Sequence, residues 1–270
     1  MQIKEVTDYL ESIAPLELQE SYDNCGLIVG DTRWEVQGVL VCLDVTEAIV
    51  EEAMELGANL IIAHHPVIFQ GLKRLTGQNF IQRTVMQALR NDIAIYAIHT
   101  NLDNTLLNGV NDKIAQLIGL TDIQALQPKP SFIADKNGMD PKLVGTGLIG
   151  YLPSPMAPIR FLHQIKERMA VPCLKYTALP QHKIKKIALC GGAGGFLLKQ
   201  AIASGSELFL SSDFKYHEYF KADGKIIIAD IGHFESERYT IDVLFDLISK
   251  KFRTFASHYT KCNTNPIQYL

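Results

Sequence analysis

The sequence lacks the features that mark several common classes of protein. Its 270 residues include 26 lysines and arginines against 29 aspartates and glutamates, so the formal net charge is −3 and there is no basic excess. Nothing in the charge suggests nucleic acid as the main partner. No apolar run approaches the roughly 18–20 residues that a membrane-spanning helix needs, so no membrane association is expected. Residues 1–5 carry an acid and lack an apolar signal core, which argues against secretion.

Paired cysteine motifs are also absent. The five cysteines are an odd number, and no two of them form a C-x-x-C pair. We expect reduced thiols in a cytoplasmic protein, with Cys42 and Cys190 buried in strands. The remaining composition, 47% hydrophobic and 20% charged, is that of a globular protein. Its length suffices for one large or two ordinary domains.

What the sequence does contain is an alternation of short apolar strands and amphipathic helices. This alternation predicts an α/β fold with a parallel-rich sheet and helices on both faces. Residues 127–140, with three prolines and glycines, are predicted to be a connector, and one long helix is predicted from about residue 233 to residue 251. The other predicted elements include strands at 38–43, 59–63, 93–98, 184–190, 208–210 and 226–229, and helices at 46–56, 80–90 and 109–118.

The strand at residues 59–63 leads directly into His64, His65 and Pro66. Pro66 has no N–H group and disfavours helical geometry at His65, so the strand ends there and both imidazoles lie at the rim of the sheet. Ligands of parallel sheets bind at the carboxyl ends of the strands. The alternative without a ligand is a pair of turn histidines bonded to the backbone. Which interpretation holds depends on the other polar residues at this edge of the sheet.

Acidic and imidazole groups recur at the other predicted strand ends. His233 and Glu237 are four residues apart on a predicted helix, so both project from one face and can reach one ion. Imidazole and carboxylate without thiolate suit Zn, Fe, Mn or Ni, and this many ligands suits two ions that share a carboxylate and activate a water. The strand-end groups are Asp44, His64, His65, His99, Asp103, Asp213, Asp230, His233 and Glu237.

Each of these groups also has an interpretation without metal. His99 can be a strand-end histidine bonded within the protein, Asp103 can be a turn or capping residue, and Glu237 can stabilise a first helical turn. Taken one at a time, these interpretations are favoured. Together they leave unexplained why the groups gather at strand ends, so the joint pattern favours metal.

The glycine run at residues 191–195 follows a predicted strand. It does not fit G-x-G-x-x-G, and it lacks the Lys-Ser/Thr of a phosphate loop. A tight turn is the favoured interpretation and anion binding the lesser one. No dinucleotide cofactor is expected, and the roles of this run and of Ser211-Ser212-Asp213 stay open.

The sequence resembles the YbgI-like (Nif-three-like) dinuclear metal centre family, whose members are commonly labelled type 2 homologues of GTP cyclohydrolase I. The resemblance spans nearly the whole chain. It rests on Leu43-Asp44-Val45-Thr46, on Ile61-Ile62-Ala63-His64-His65-Pro66, on the His99-x-x-x-Asp103 pair and on Gly232-His233-Phe234-Glu235-Ser236-Glu237. The family's early Trp-Asp-Asn-x-Gly is present with Tyr22 in place of Trp.

The resemblance implies a ligand set and a fold. The metal ligands would be His64, His65, Asp103, His233 and Glu237, with Glu237 bridging two divalent ions. His99 and His217 would lie near the metals as catalytic or substrate-facing groups. The fold would be two interlinked α/β domains with mixed, parallel-rich sheets and the metal site between them at strand carboxyl ends. The first domain would span residues 1–126, with residues 233–270 packed on it, and the second would span 127–232 with no inserted domain.

The resemblance also implies an assembly and an activity. The assembly is a toroidal homohexamer, built as a trimer of dimers. The activity is that of a metal-dependent hydrolase, with ring-opening hydrolysis of a purine nucleotide as the leading reaction. The alternatives are a non-catalytic metal-handling protein and an oligomeric regulatory scaffold. No guanine-recognition motif is evident in the sequence.

Overall fold

Two β-sheets, each accompanied by helices, make up the protein. This computed structural model describes residues 1–130 and 136–270. Its helices are α1 (Ile3–Ile13), α2 (Glu47–Glu55), α3 (Phe80–Arg90), α4 (Thr100–Asp103), α5 (Val110–Ile118), α6 (Pro158–Arg168), α7 (Leu198–Ala203), α8 (Tyr216–Tyr219), α9 (His233–Glu237) and α10 (Thr240–Lys251). Its strands are β1 (Gly26–Val29), β2 (Gly38–Cys42), β3 (Leu60–Ala63), β4 (Ala94–Ala97), β5 (Thr121–Pro128), β6 (Gly145–Met156), β7 (Lys175–Tyr176), β8 (Ile184–Leu189), β9 (Leu208–Ser211), β10 (Ile227–Asp230) and β11 (Ala256–Tyr259).

The chain divides into two compact units, one around each sheet. Unit 1 comprises Met1–Leu102 and Thr240–Pro266, and unit 2 comprises Asp103–Tyr239 and Ile267–Leu270. Residues 103–126, 233–239 and 267–270 therefore fall in unit 2, although they are predicted to belong to or pack on the first domain. Domain boundaries at 126 and 232 stay a prediction. The predicted α/β class with mixed, parallel-rich sheets is confirmed.

The sheet of unit 1 has the strand order β1-β4-β3-β2-β11. Only β1 is antiparallel to its neighbour; the other four strands run parallel. Every residue of β2, β3 and β4 is buried, as expected for parallel strands covered on both faces. Ile49 of α2 and Val85 of α3 share one hydrophobic core with Ile61 of β3. Ala63 pairs with Ala97, so β3 and β4 deliver the residues that follow them to the same edge of the sheet.

The sheet of unit 2 has the strand order β5-β6-β8-β9-β10-β7. Its strands β8, β9 and β10 run parallel, and the outer pairings are antiparallel. Ala188, Phe209 and Ile228 of these three strands form a core with Leu197 and Leu198. The carboxyl ends of β8 and β9 lead into the glycine run and into Ser212, whose roles the sequence leaves open.

Side-chain caps stabilise the starts of two helices in unit 1. The Ile49 N–H donates to the Thr46 hydroxyl oxygen at 3.4 Å at the start of α2, and α3 has the predicted bounds. The Gln82 N–H donates to the Asn79 side chain at 2.9 Å, which caps α3. Among the described residues, no helix combines the length and the apolar character needed to cross a bilayer.

The prediction of one long helix from residue 233 to residue 251 was wrong. The first helix, α9, ends at Glu237, and α10 begins only at Thr240. Between them, the Arg238 guanidinium donates to the Met169 carbonyl oxygen at 2.7 Å. This contact holds Arg238 at the interruption, and its partner is 69 residues away in the chain, beyond what apolar periodicity can detect.

The predicted connector at residues 127–140 is a connector only in part. Its first two residues complete β5, and residues 131–135 lie outside the described part of the chain. β5 was missed because only Ala125 and Leu126 of its eight residues are buried, which leaves no clear alternation. Antiparallel pairing with β6, a non-local interaction, specifies this strand instead.

Candidate metal centre

Three histidines of unit 1 gather at the carboxyl ends of β3 and β4. His64 and His65 directly follow β3, and His99 lies two residues beyond β4. The ring centroids of His64 and His65 are 4.9 Å apart, and those of His99 lie 5.2 Å from His64 and 5.3 Å from His65. One nitrogen of each ring lies within 4.8 Å of the other two, so the three imidazoles can approach one ion.

The Nδ1 atoms of these three imidazoles are all engaged by oxygen acceptors. Nδ1 of His64 lies 2.9 Å from the Ile98 carbonyl oxygen, and Nδ1 of His65 lies 2.7 Å from Oδ1 of Asp44. Nδ1 of His99 lies 2.9 Å from Oδ1 of Asp23. A carbonyl or an ionised carboxylate has no proton to give, so Nδ1–H donates and the neutral ring keeps its lone pair on Nε2. Metal-ligating histidines are oriented in this way.

Asp23 is a site residue to which the sequence analysis assigned no role. Its side chain is fully buried and accepts hydrogen bonds from His99, from the Thr100 N–H at 3.0 Å and from the Thr100 hydroxyl. Burial by itself raises the pKa of Asp23, but the hydrogen bonds from His99, Thr100 and Cys25 outweigh it and hold that pKa well below its ordinary value. The available signal was the Tyr22-to-Gly26 motif, which contains Asp23.

Cys25 lies beside this carboxylate without being a candidate ligand. Its thiol donates to Oδ2 of Asp23 at 3.1 Å. Burial, and then the negative charge of Asp23, raise the pKa of Cys25 to about 12. The thiol therefore stays protonated, and the donor set of unit 1 consists of imidazoles without thiolate.

Asp44 connects His65 to the end of unit 1. Its Oδ1 accepts from His65, and its Oδ2 accepts from the Thr264 hydroxyl at 2.8 Å. Asp44 follows β2, one of the strand ends identified from sequence. One oxygen of the Asp44 carboxylate therefore accepts from the imidazole, and the other accepts from Thr264, which holds the carboxylate in place.

In unit 2 the same arrangement recurs on α9. His233 and Glu237 lie on one face of this helix, with Nε2 of His233 3.0 Å from Oε2 of Glu237. Nδ1 of His233 lies 2.7 Å from Oδ2 of Asp213. A carboxylate thus holds Nδ1 while Nε2 faces the second carboxylate. The Glu237 side chain is only 3% exposed, and that of His233 is 36% exposed.

The two remaining predicted residues have different surroundings. Asp103 ends α4, one helical turn after His99 in the chain, and its backbone carbonyl accepts from the Asn111 side chain at 3.0 Å. His217 is exposed on α8, with its ring centroid 5.1 Å from Tyr216 and 6.2 Å from Phe220. Among the described residues, His217 belongs to no group with metal-ligand spacing.

The residues present fit a divalent metal ion. The imidazoles of unit 1, held at Nδ1, and in unit 2 an imidazole beside a buried carboxylate, are the kinds of donor that Zn, Fe, Mn and Ni accept. Asp23, Asp44 and Asp213 supply the outer hydrogen bonds that such ligands require. The fold and these groups define an α/β protein of two units, each of which contains imidazole and carboxylate groups that could bind a metal ion.

The chain belongs to the Duf34/NIF3 (NGG1p interacting factor 3) family, whose model matches residues 1–266. This confirms the resemblance found in the sequence. A relative from Clostridium perfringens named GTP cyclohydrolase 1 type 2 homolog is 34% identical over 240 residues, which cover 88% of this chain and 87% of that protein. A relative of the same name from a Nostoc species is 34% identical over 265 residues, which cover 97% of this chain and 95% of that protein.

The fold is also similar to solved structures. The crystal structure of the Staphylococcus aureus hypothetical protein SA1388 matches with a TM-score of 0.89 at 28% identity, covering 100% of this chain and 99% of that one. The Bacillus cereus protein related to NIF3 matches with a TM-score of 0.88 at 24% identity, covering 100% of this chain and 99% of that one.

Proposed function

We propose that this protein is a metal-dependent hydrolase with two divalent ions per chain. The proposed ligands are His64, His65, Asp103, His233 and Glu237, with Glu237 shared by both ions. The observation that carries the proposal is the fixed orientation of the imidazoles, since Nδ1 of each ligand histidine is held by a carbonyl or carboxylate oxygen. Such anchoring leaves Nε2 as the ligand atom.

Bound divalent ions of this kind activate water for attack on carbon or phosphorus. The proton transfers fall to the chain itself. His99 keeps its Nδ1 proton directed at Asp23, so Nε2 is the atom that accepts a proton from, or returns one to, the reacting groups. The Asp23 carboxylate stabilises the imidazolium that this transfer forms. His217 is proposed as a further proton-transfer or substrate-facing group.

A planar substrate is supported by an exposed aromatic ring beside His99. The Phe69 ring lies edge-on to the His99 imidazole with centroids 5.5 Å apart, although 47% of Phe69 is exposed. An exposed aromatic face next to a reactive imidazole suits packing of a nucleobase. Together with the name carried by the relatives, this favours ring-opening hydrolysis of a purine nucleotide such as GTP.

Phe69 provides a direct test of that substrate class. Phe69→Ala is expected to raise KM for a purine nucleotide about 5-fold or more, since base stacking on an aromatic side chain contributes about 1–3 kcal/mol. Bound metal should not change, because Phe69 offers no ligand atom. Phe80→Ala, which removes another exposed phenylalanine of unit 1, is the control. Equal KM values for the two variants would exclude stacking on Phe69.

The first experiment is elemental analysis of protein purified without added metal, followed by a turnover screen of nucleotides and phosphoesters. The proposal predicts two metal equivalents per chain. His99→Ala and His217→Ala should lower turnover and leave bound metal nearly unchanged. His182→Ala is a control, because that imidazole is 67% exposed and 3.6 Å from Glu207. Full turnover in both test variants would refute the proton-transfer roles.

Other outcomes would redirect the proposal. Metal that is passed to an acceptor protein, with no turnover of any substrate, would indicate metal handling. Assembly that is lost on chelation, again without turnover, would indicate a scaffold.

We also propose a cytoplasmic homohexamer built as a trimer of dimers, and light scattering should then give six times the mass of one chain. Consistent with a reducing compartment, the described residues include all five cysteines and none forms a disulfide.

A further inference from the structure

The glycine run at residues 191–195 and the segment Ser211-Ser212-Asp213 form one hydrogen-bonded structure in unit 2. They lie at the carboxyl ends of β8 and β9, which are parallel neighbours, so both are at the same edge of the sheet. The run does not present a phosphate-type cradle. The N–H groups of Gly191, Gly192 and Gly194 already donate to Asn111, Ser236 and Ser211, respectively, each at 2.9 Å.

The carbonyl oxygen of Gly192 is the shared acceptor that joins the two segments. It accepts from the Ser212 hydroxyl at 2.6 Å, from the Ser212 N–H at 3.0 Å and from the Ser211 hydroxyl at 3.0 Å. The Gly194 N–H also lies 3.0 Å from it. Both serines are 1% exposed. A carbonyl with this many buried donors fixes the orientation of its peptide plane.

The amide N–H of the same residue, which belongs to the preceding peptide unit, is bonded to α9. The Gly192 N–H donates to the Ser236 hydroxyl oxygen, and that hydroxyl donates to the His233 carbonyl oxygen at 2.7 Å. Ser236 directly precedes Glu237. The two peptide units that meet at Gly192 therefore link the end of β9 to the helix that carries His233 and Glu237.

The absence of a side chain at this position leaves room for Glu237. Gly192 has a φ of +63°, and a Cβ atom built on it would overlap Oε1 of Glu237. The same Cβ would lie 3.1 Å from Cδ of Glu237 and 3.4 Å from Cε1 of His233. The Glu237 carboxylate thus packs directly against the Gly192 α-carbon, which limits where its oxygens can lie.

We propose that Gly192, held by Ser211 and Ser212, is the positioning residue for the Glu237 carboxylate and thereby sets the metal affinity of this site. The inference rests on the proposed function, in which Glu237 is a metal ligand. It assigns the glycine run a role in holding a protein carboxylate, and Ser211 and Ser212 a role in holding that glycine.

Gly192→Ala tests the inference against a matched control. Gly205 belongs to the same unit and has a φ of +73°, but a Cβ there would meet nothing within 4 Å. Both substitutions impose left-handed backbone strain, and only the first displaces Glu237. Zn²⁺ affinity, measured by competition with a chromophoric chelator, should fall about 10- to 100-fold in Gly192→Ala and stay at the wild-type value in Gly205→Ala.

A double-mutant cycle shows whether the effect passes through Glu237. In a Glu237→Ala background, Gly192→Ala should cause no further loss of Zn²⁺ affinity, because the displaced carboxylate is already gone. Additive losses would overturn the inference. So would wild-type affinity in Gly192→Ala.

Ser212→Ala covers the case in which Gly192→Ala does not fold. It removes the shortest bond to the Gly192 carbonyl and should weaken Zn²⁺ binding several-fold, whereas Ser206→Ala, another buried serine of unit 2, should not. Equal affinity in these two variants would overturn the inference. A wild-type protein that binds no Zn²⁺, Fe²⁺, Mn²⁺ or Ni²⁺ would overturn the proposed function and this inference together, whereas a metal-binding protein that fails the variant tests would overturn this inference alone.

Discussion

Replacing Asp23 by asparagine tests the hydrogen-bond network that supports His99. The buried carboxylate accepts from Nδ1 of His99 at 2.9 Å, from the Thr100 N–H at 3.0 Å and from the Thr100 hydroxyl. Asparagine has the same shape, but its amide nitrogen cannot accept, so at least one donor then faces an NH₂ group. A hydrogen bond to a charged group contributes about 1.5–3 kcal/mol, so the free energy of unfolding should decrease by about 3 kcal/mol.

The effect of pH on this contribution has a defined sign. The pKa of Asp23 is lower in the folded protein than in the unfolded chain, where it is about 3.9. The stabilisation is therefore complete above that value and is lost as the pH falls through the lower, folded-state pKa. The wild-type protein should lose stability from about pH 4 downward, and Asp23→Asn should lose less over the same range.

Urea unfolding of chelator-treated protein measures both effects without interference from bound metal. Asp31→Asn is the control, because that carboxylate pairs at 2.5 Å with Arg33, whose side chain is 83% exposed; such surface pairs contribute little. A midpoint for Asp23→Asn equal to that of Asp31→Asn would refute the reasoning. In turnover, Asp23→Asn should reduce the rate as His99→Ala does, because the imidazole loses the acceptor that fixes its tautomer.

Two further predictions concern the metal directly. Asp213→Asn removes the carboxylate from Nδ1 of His233 and should lower Zn²⁺ affinity about 10-fold or more. Its effect on stability should be small because Asp213 is 49% exposed. An unchanged chelator-competition curve would contradict the expected loss of Zn²⁺ affinity. Chelation should lower the melting temperature by mass action while leaving a cooperative transition, since hydrogen bonds within the protein already hold the ligand side chains. A circular dichroism spectrum typical of an unfolded chain, recorded after chelation, would contradict that expectation.

The sequence could identify those site residues whose placement is local. His64 and His65 follow a strand that its apolar run reveals, and the spacing of four between His233 and Glu237 brings them together on α9. Asp23 could not be identified from such patterns, because its partner His99 is 76 residues away. The motif around Asp23 marked the segment without indicating which atom it would contact.

The same limit applies to the fold. Strands with continuous apolar runs, such as β3 and β4, were predicted, whereas β5 depends on pairing with β6 and was not. At the interruption between α9 and α10, Arg238 contacts the distant Met169. The role of Gly192 depends on the approach of Glu237, 45 residues later in the chain. In each case the deciding interaction is non-local.

The strongest argument for a built metal site is the contrast among the histidines themselves. His65, His99 and His233 each have an aspartate oxygen within 2.9 Å of Nδ1, contributed by a different segment of the chain. His182, by contrast, is 67% exposed and lies 3.6 Å from its nearest acid partner, Glu207, which is too far for a hydrogen bond. Restricting a side chain costs conformational entropy, so three imidazoles that are each held at Nδ1 by an aspartate indicate side chains oriented before any ion binds.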